Sequence, residues 1–235
     1  MIRKIFKKLK IAPGYINRHI LSPRILNMKY RDILAKNKGL EGKYSGKRCF
    51  ILGSGPSIKE INIKKLQNEY IFAVNTFYQH PDFHFLKFQN YLLIDSGLPS
   101  EFSFSLVKSL SETLDKEANV FFSIKDMEEI EKTGLFSDKH KFYLVTQGII
   151  SEYFDFNIDL DRVLPWPKNS VLMCMMIAVY MGFKKVYLLG CEHNFLSFNV
   201  GRGGTINYPR FHPDKIGHID TSDLEIAKKY KGNNH

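Results

Sequence analysis

The sequence predicts an α/β fold: a mostly parallel, doubly wound, Rossmann-like sheet with helices on both faces, carrying a basic helical extension on its N-terminal side. Three observations lead there. Short apolar runs end in glycine or a single polar residue, as in Cys49-Phe50-Ile51-Leu52-Gly53 and Val186-Tyr187-Leu188-Leu189-Gly190. Between them lie helix-patterned stretches, the alternation expected of βαβ units. The 235 residues are 44% hydrophobic, with 19 Phe and 12 Tyr, enough for one sizeable core.

The extension is read as residues 1–46 and the domain as 47–235. Ile2, Ile5, Phe6 and Leu9 fall at helical spacing, and Arg3, Lys4, Lys7, Lys8 and Lys10 fill the opposite face. Such a helix either docks on an anionic membrane face, where each basic residue contributes about 1 kcal/mol, or is a solvated or packed N-terminal helix. It lacks the apolar region of a signal peptide. Pro13-Gly14 closes it, and residues 15–46 read as a basic, partly helical lead-in. Residues 1–48 hold 14 Lys/Arg against Asp32 and Glu41, whereas the other 187 residues hold 20 Lys/Arg and 22 Asp/Glu. The domain itself is therefore slightly acidic, which argues against a general nucleic-acid surface. The longest apolar run, Val171 to Phe183, has 13 residues, short of the roughly 20 that span a bilayer. A cytoplasmic protein lying peripherally at the inner face of the plasma membrane is expected.

Strands are expected at 49–52, 71–75, 91–95, 119–123, 141–146 and 186–190, and helices at 58–66, 100–117, 125–132 and 170–181, the last capped by Asn169-Ser170 and stopped by Gly182. Residues 149–167 read as irregular, with Pro165-Trp166-Pro167. Cys49, Cys174 and Cys191 sit in apolar runs, without metal-ligand spacing, and read as reduced core thiols.

In a parallel sheet, ligands sit beyond the C-terminal strand ends, so the residues just after strands carry the chemistry. Gly53-Ser54-Gly55-Pro56-Ser57 turns from a strand into a helix start, where free N–H groups and a positive dipole end suit a phosphate; the same residues also suit any well-capped helix. Neither the dinucleotide fingerprint nor a Walker loop is present. Asn75 ends the second strand with a side chain able to read a base or sugar edge. Asp95 ends the third. Gly190-Cys191-Glu192-His193-Asn194 places a polar run at a strand tip, for ribose or phosphate contact, proton transfer, or a loop-capping network. Residues 195–217, with Gly201, Gly203, Gly204 and Tyr208, read as a lid or a disordered segment, and His218 follows, just before a final helix.

Residues 49–78, 168–194 and 217–230 resemble the bacterial lipooligosaccharide sialyltransferases of glycosyltransferase family 42. The shared pattern is a Pro-Ser glycine turn, an Asn ending the second strand, a Ser-led apolar helix, a strand ending in Gly and an acidic residue, and a late Gly-His. The phrases from Tyr180 to Gly190 and Glu192-His193-Asn194 are similar to a neighbouring family named after the archaeal 6-hydroxymethylpterin diphosphokinase, which includes flagellin-modifying and surface-polysaccharide proteins. The resemblance implies inverting, metal-independent transfer from a CMP-linked nonulosonic acid to a glycan acceptor, with no resident cofactor and a possible homo-oligomer. It implies that Gly53, Ser54, Gly55, Pro56, Ser57 and Asn75 hold the nucleotide, that Ser170, Gly190 and Glu192 flank base and ribose, and that His218 deprotonates the acceptor. The family's first-turn Asn is Ser54 here, and one phosphate-steadying tyrosine falls at Asn194, with Tyr208 as the nearby substitute. The family pattern continues with another strand and helices beyond His235. Two other readings stay open: a diphosphokinase using ATP and Mg²⁺, and a nucleotide-binding module without catalysis.

Overall fold

The computed structural model describes residues 21–94, 101–147, 158–167 and 169–192, with backbone alone at 101–103, 206–207 and 218–219. The extension's helix at 2–11, Asp95, His193, Asn194, Tyr208, the lid apart from the backbone of 206–207, and the rest of the final segment beyond Ile219 lie outside the described residues.

Six strands form one parallel sheet: β1 (Arg48–Leu52), β2 (Tyr70–Val74), β3 (Asn90–Leu93), β4 (Asn119–Ser123), β5 (His140–Leu144) and β8 (Lys185–Leu189), in the order β5-β4-β3-β2-β1-β8. Two short ladders stand apart, β6 (Thr146–Gln147) with β7 (Leu164–Pro165) and β9 (Ile206–Asn207) with β10 (His218–Ile219). The chain moves strand by strand from β1 to β5, then returns to the far side of β1 as β8. Right-handed crossovers that run in one direction fall on one face of a sheet, and the reversal puts the last on the other.

The two cores follow from that reversal and from the two-residue period of the strands. Leu52, Ile71, Ala73, Tyr91, Leu93, Val120 and Phe122 face one side, covered by the turns after β1 and β2 and by helices α3 (Glu101–Thr113) and α4 (Met127–Thr133). Cys49, Ile51, Phe72, Val74, Leu92 and Phe121 face the other, covered by α5 (Ser170–Tyr180) through Met173, Cys174, Ile177 and Ala178. The predicted α/β sheet with helices on both faces is present. Asn169 caps α5, its side chain accepting from the Leu172 N–H at 2.8 Å. No described helix is long and apolar enough to cross a membrane.

Two expectations need correction. The helix expected at 58–66 is two 3-10 segments, Pro56–Glu60 and Ile63–Leu66, broken by extended backbone at Ile61. Ile58, Ile63 and Leu66 all face the core, and continuous α-helical periodicity would carry Asn62 inward in place of Ile63. The strand expected at 141–146 breaks at Val145, where the chain leaves the main sheet to pair with β7. The lead-in before residue 46 packs against the sheet domain. Helices α1 (Ser22–Lys29) and α2 (Arg31–Leu34) lead into a stretch with Leu34, Asn37 and Leu40 buried. The Asn37 amide donates to the Tyr143 and Leu160 carbonyls at 2.9 and 2.7 Å. Gly42, Tyr44 and Gly46 donate backbone bonds to Tyr180, Met181 and Gly182. Basic charge concealed this docking, because it marks the exposed side of the segment and not the few apolar residues beneath.

Candidate functional site

The reversal of strand order lies between β1 and β8, the place where an open parallel sheet parts to admit a ligand. Here the two strand tips close on each other. Gly53 N–H donates to the Leu189 carbonyl at 2.8 Å and Gly55 N–H to the Gly190 carbonyl at 2.8 Å. Ser57 N–H donates to Glu192 Oε1 at 2.7 Å. The ladder thus runs on past both strands, and the glycines permit it. A Cβ at Gly53 would sit 2.4 Å from the Gly190 carbonyl oxygen, and one at Gly190, itself at φ +65°, would sit 2.7 Å from the Gly53 carbonyl oxygen.

This corrects the expectation of free N–H groups in the first turn. Those of Gly53, Gly55 and Ser57 are taken, and the anion at the turn is the protein's own Glu192. The Pro56–Glu60 segment has five residues, too few for a sizeable dipole. Glu192 Oε2 is buried against Gly55 without a hydrogen-bond partner. Burial pushes the carboxyl pKa up, but the bond from Ser57 prevails and holds it below its ordinary value. A depressed folded-state pKa adds stability that is present above about pH 4.5 and lost as the pH falls through the folded value. Glu192→Gln is accordingly expected to be less stable than the native chain in urea at pH 7, with the gap closing in acid. An equal gap at pH 7 and pH 3 would show that the charge plays no part.

One strand over, Asn75 is held in the left-handed region at φ +48°, which an Asn tolerates better than most residues. The conformation turns the chain sharply off β2 and leaves the side chain between two other tips. Its Nδ2 donates to Ser170 Oγ at 3.0 Å, and its Oδ1 accepts from the Ile94 N–H at 3.3 Å. The buried Tyr91 hydroxyl locks the backbone, donating to the Asn75 carbonyl at 2.6 Å while accepting from the Tyr78 N–H at 3.1 Å. Asn75 and Ser170, 95 residues apart, thereby join the ends of β2 and β3 to the start of α5.

Ser170 also lines an open pocket at the ends of β3, β4 and β5, with Ile94, Ser123, Leu144, Thr146, Trp166, Pro167, Asn169 and Met173. Its described walls are apolar or neutral polar. Lys125 stands outside, its ammonium 5.5 Å from the Trp166 ring. Such a lining suits an uncharged ring bearing hydroxyl or amide groups. Sequence reasoning left Trp166 and Ser123 out of the site. A lone Trp between two prolines at the end of an irregular stretch was the available signal for the first; nothing local marks the second.

The expected residues therefore divide. Gly53, Ser54, Gly55, Pro56 and Ser57 meet Gly190 and Glu192 at the β1–β8 tips, while Asn75 and Ser170 meet at the pocket, all on the C-terminal edge of one sheet. His218 lies in β10 with its backbone paired to Asn207, so the ladder sets it beside the residue preceding Tyr208. Among the described residues no group of three or more His, Cys, Asp or Glu side chains is placed to hold a metal ion. Cys49 and Cys174 are buried free thiols, the first pushed by burial up to about 12, and Cys191 is half-buried at the β8 tip, pushed by burial up to about 11.

No family model matches the chain, and no curated protein matches it in sequence.

Proposed function

We propose that the protein is a glycosyltransferase that moves a sugar, a sialic or related nonulosonic acid, from a CMP-linked donor to a bacterial surface-glycan acceptor at the inner face of the plasma membrane. The observation that carries this reading is the Asn75–Ser170 hydrogen bond of 3.0 Å on the rim of the pocket. These are the Asn ending the second strand and the Ser leading the apolar helix in the family pattern, and they come together where a donor would lie.

In this reading the pocket takes the neutral parts of the donor, Asn75 and Ser170 orient it, and the acceptor hydroxyl attacks the anomeric carbon. The bond to the CMP oxygen breaks and its electrons leave with the phosphate, while His218 takes the acceptor proton. Because the Gly190 carbonyl takes the Gly55 N–H and Glu192 takes that of Ser57, the phosphate in this reading is held by other groups.

Thermal stabilisation by a nucleotide panel, followed by hydrolysis of CMP-sugars, tests the proposal. Stabilisation by CMP is expected, and Ser170→Ala should weaken CMP binding by up to about tenfold, the equivalent of one hydrogen bond, while loss of the Asn75 bond lowers the unfolding temperature by only about 2–4 °C. A response to ATP with Mg²⁺ in place of CMP would replace transfer by phosphotransfer to a pterin alcohol. CMP binding without hydrolysis of any donor would leave a binding module, and silence across the panel would remove the nucleotide altogether.

A further inference from the structure

We propose that α1 is a membrane-docking helix, whose outward stripe enters the headgroup region of an anionic bilayer and holds the mouth of the pocket at that surface. Leu21, Ile25 and Met28 stand at i, i+4 and i+7, one face of a helix. Ile25 and Met28, 62% and 79% exposed, are the most exposed large apolar side chains among the described residues. Exposed Arg24 and Lys29 flank them, and no acidic residue occurs within the helix. The next one along, Asp32, is paired with Arg31 at 3.4 Å.

The inner side of α1 is fastened to the pocket wall. Ser22 Oγ accepts from the Gln147 amide, and Asn27 Oδ1 accepts from the Val163 N–H at 2.7 Å. Gln147 ends β6, directly after Thr146. Val163 precedes β7, which leads into Trp166, and both Thr146 and Trp166 line the pocket. A helix bonded in this way cannot bind a surface without bringing the pocket with it.

Charge and size select lipid as the occupant. The stripe runs about 10 Å along the helix, too little for the area that a specific protein partner buries. It lies within residues 1–48, where basic residues outnumber acidic ones by 14 to 2. Small apolar area combined with basic flanks is the composition that lies in an anionic interface. The docking stands on these observations alone. Its purpose, presenting a lipid-anchored acceptor to the pocket, rests on the transferase reading.

The chain contains a single Trp, and it lines the pocket at 37% exposure, so it reports where the pocket goes. The experiment sediments the full chain with phosphatidylcholine vesicles, with and without phosphatidylglycerol, and reads Trp166 fluorescence with a quencher attached to the lipid headgroups. Binding should require the anionic lipid, weaken with salt, and be accompanied by quenching of Trp166. Ile25→Glu combined with Met28→Glu should lower binding at least about tenfold with an unchanged unfolding temperature. Arg24→Gln and Lys29→Gln should each lower it about fivefold. Normal binding by the Ile25→Glu, Met28→Glu chain, with loss on Ile5→Glu combined with Phe6→Glu, would assign docking to residues 1–12 and overturn the proposal. Binding without quenching would overturn the orientation. Self-association abolished by the α1 changes, without vesicle binding, would make a second copy the occupant. No nucleotide enters the assay, so a chain that docks but hydrolyses no CMP-sugar refutes the transferase and leaves the docking intact.

Discussion

Replacing Gly53 by alanine is expected to destabilise the protein by about 3 kcal/mol, the upper end of what overpacking does in a tight interior. The added methyl would stand 2.4 Å from the Gly190 carbonyl oxygen, 2.9 Å from Cys191 Sγ and 3.1 Å from the Gly190 carbonyl carbon. Two of those atoms are backbone in a continued ladder, so relief requires the β1 and β8 tips to part and the bonds from Gly53 and Gly55 to lengthen. For a chain of this size the change corresponds to about 6–12 °C in the midpoint of thermal unfolding. Gly39→Ala is the control: no heavy atom lies within 4 Å of its added methyl, and its stability should stay within about 0.5 kcal/mol of the native chain. The comparison separates two explanations of the glycine turn. If the turn is bare in order to let a ligand approach, Gly53→Ala folds normally and loses only nucleotide binding.

The largest effect on activity is expected from His218→Ala. A hydroxyl acceptor is a weak nucleophile near neutral pH, and base assistance supplies about 10²–10⁴-fold in rate. Turnover should therefore fall at least about 10²-fold, with CMP affinity and unfolding temperature little changed, since the interaction lost belongs to the transition state. The β9–β10 pairing of His218 with Asn207 ties this position to the residue preceding Tyr208, which in the proposed reading would steady the leaving phosphate. A loss on Tyr208→Phe that appears in turnover and not in CMP affinity would accompany the histidine effect. His193 and His212 are the rivals. If His193→Ala shows the turnover loss and His218→Ala retains near-native turnover, proton transfer belongs to the β8 tip.

Much of the fold is legible in the amino-acid sequence. The strands at 48–52, 70–74, 119–123 and 185–189 and the helix from Ser170 match their expected positions within a residue or two. Each is either a short uninterrupted apolar run closed by a polar residue or glycine, or a longer apolar run begun by a capping Asn. These are local properties, and burial on both faces makes them strong in the inner strands β1, β2 and β4 of a parallel sheet. The placement of candidate residues at one sheet edge followed from the same runs, because parallel strands put every C-terminal tip on the same side.

The failures concern partners. The sequence shows that Gly53 to Ser57 form a turn and that Glu192 follows a strand, but not that the one uses the other's carboxylate across 135 residues. Asn75 and Ser170 each stand out locally, yet their hydrogen bond depends on how far β2, β3 and α5 extend before turning.

By itself, then, the sequence determined the class of fold, the strands and their polarity, and the edge at which chemistry would gather, since periodicity and capping act over a few residues. Tertiary structure alone decided what each polar group at that edge touches. Which backbone crosses within hydrogen-bonding distance is set by strand order and packing over the whole domain. The turn that reads locally as an open anion site is for that reason filled by Glu192, and the pocket lies beside Asn75, Ser170 and Trp166.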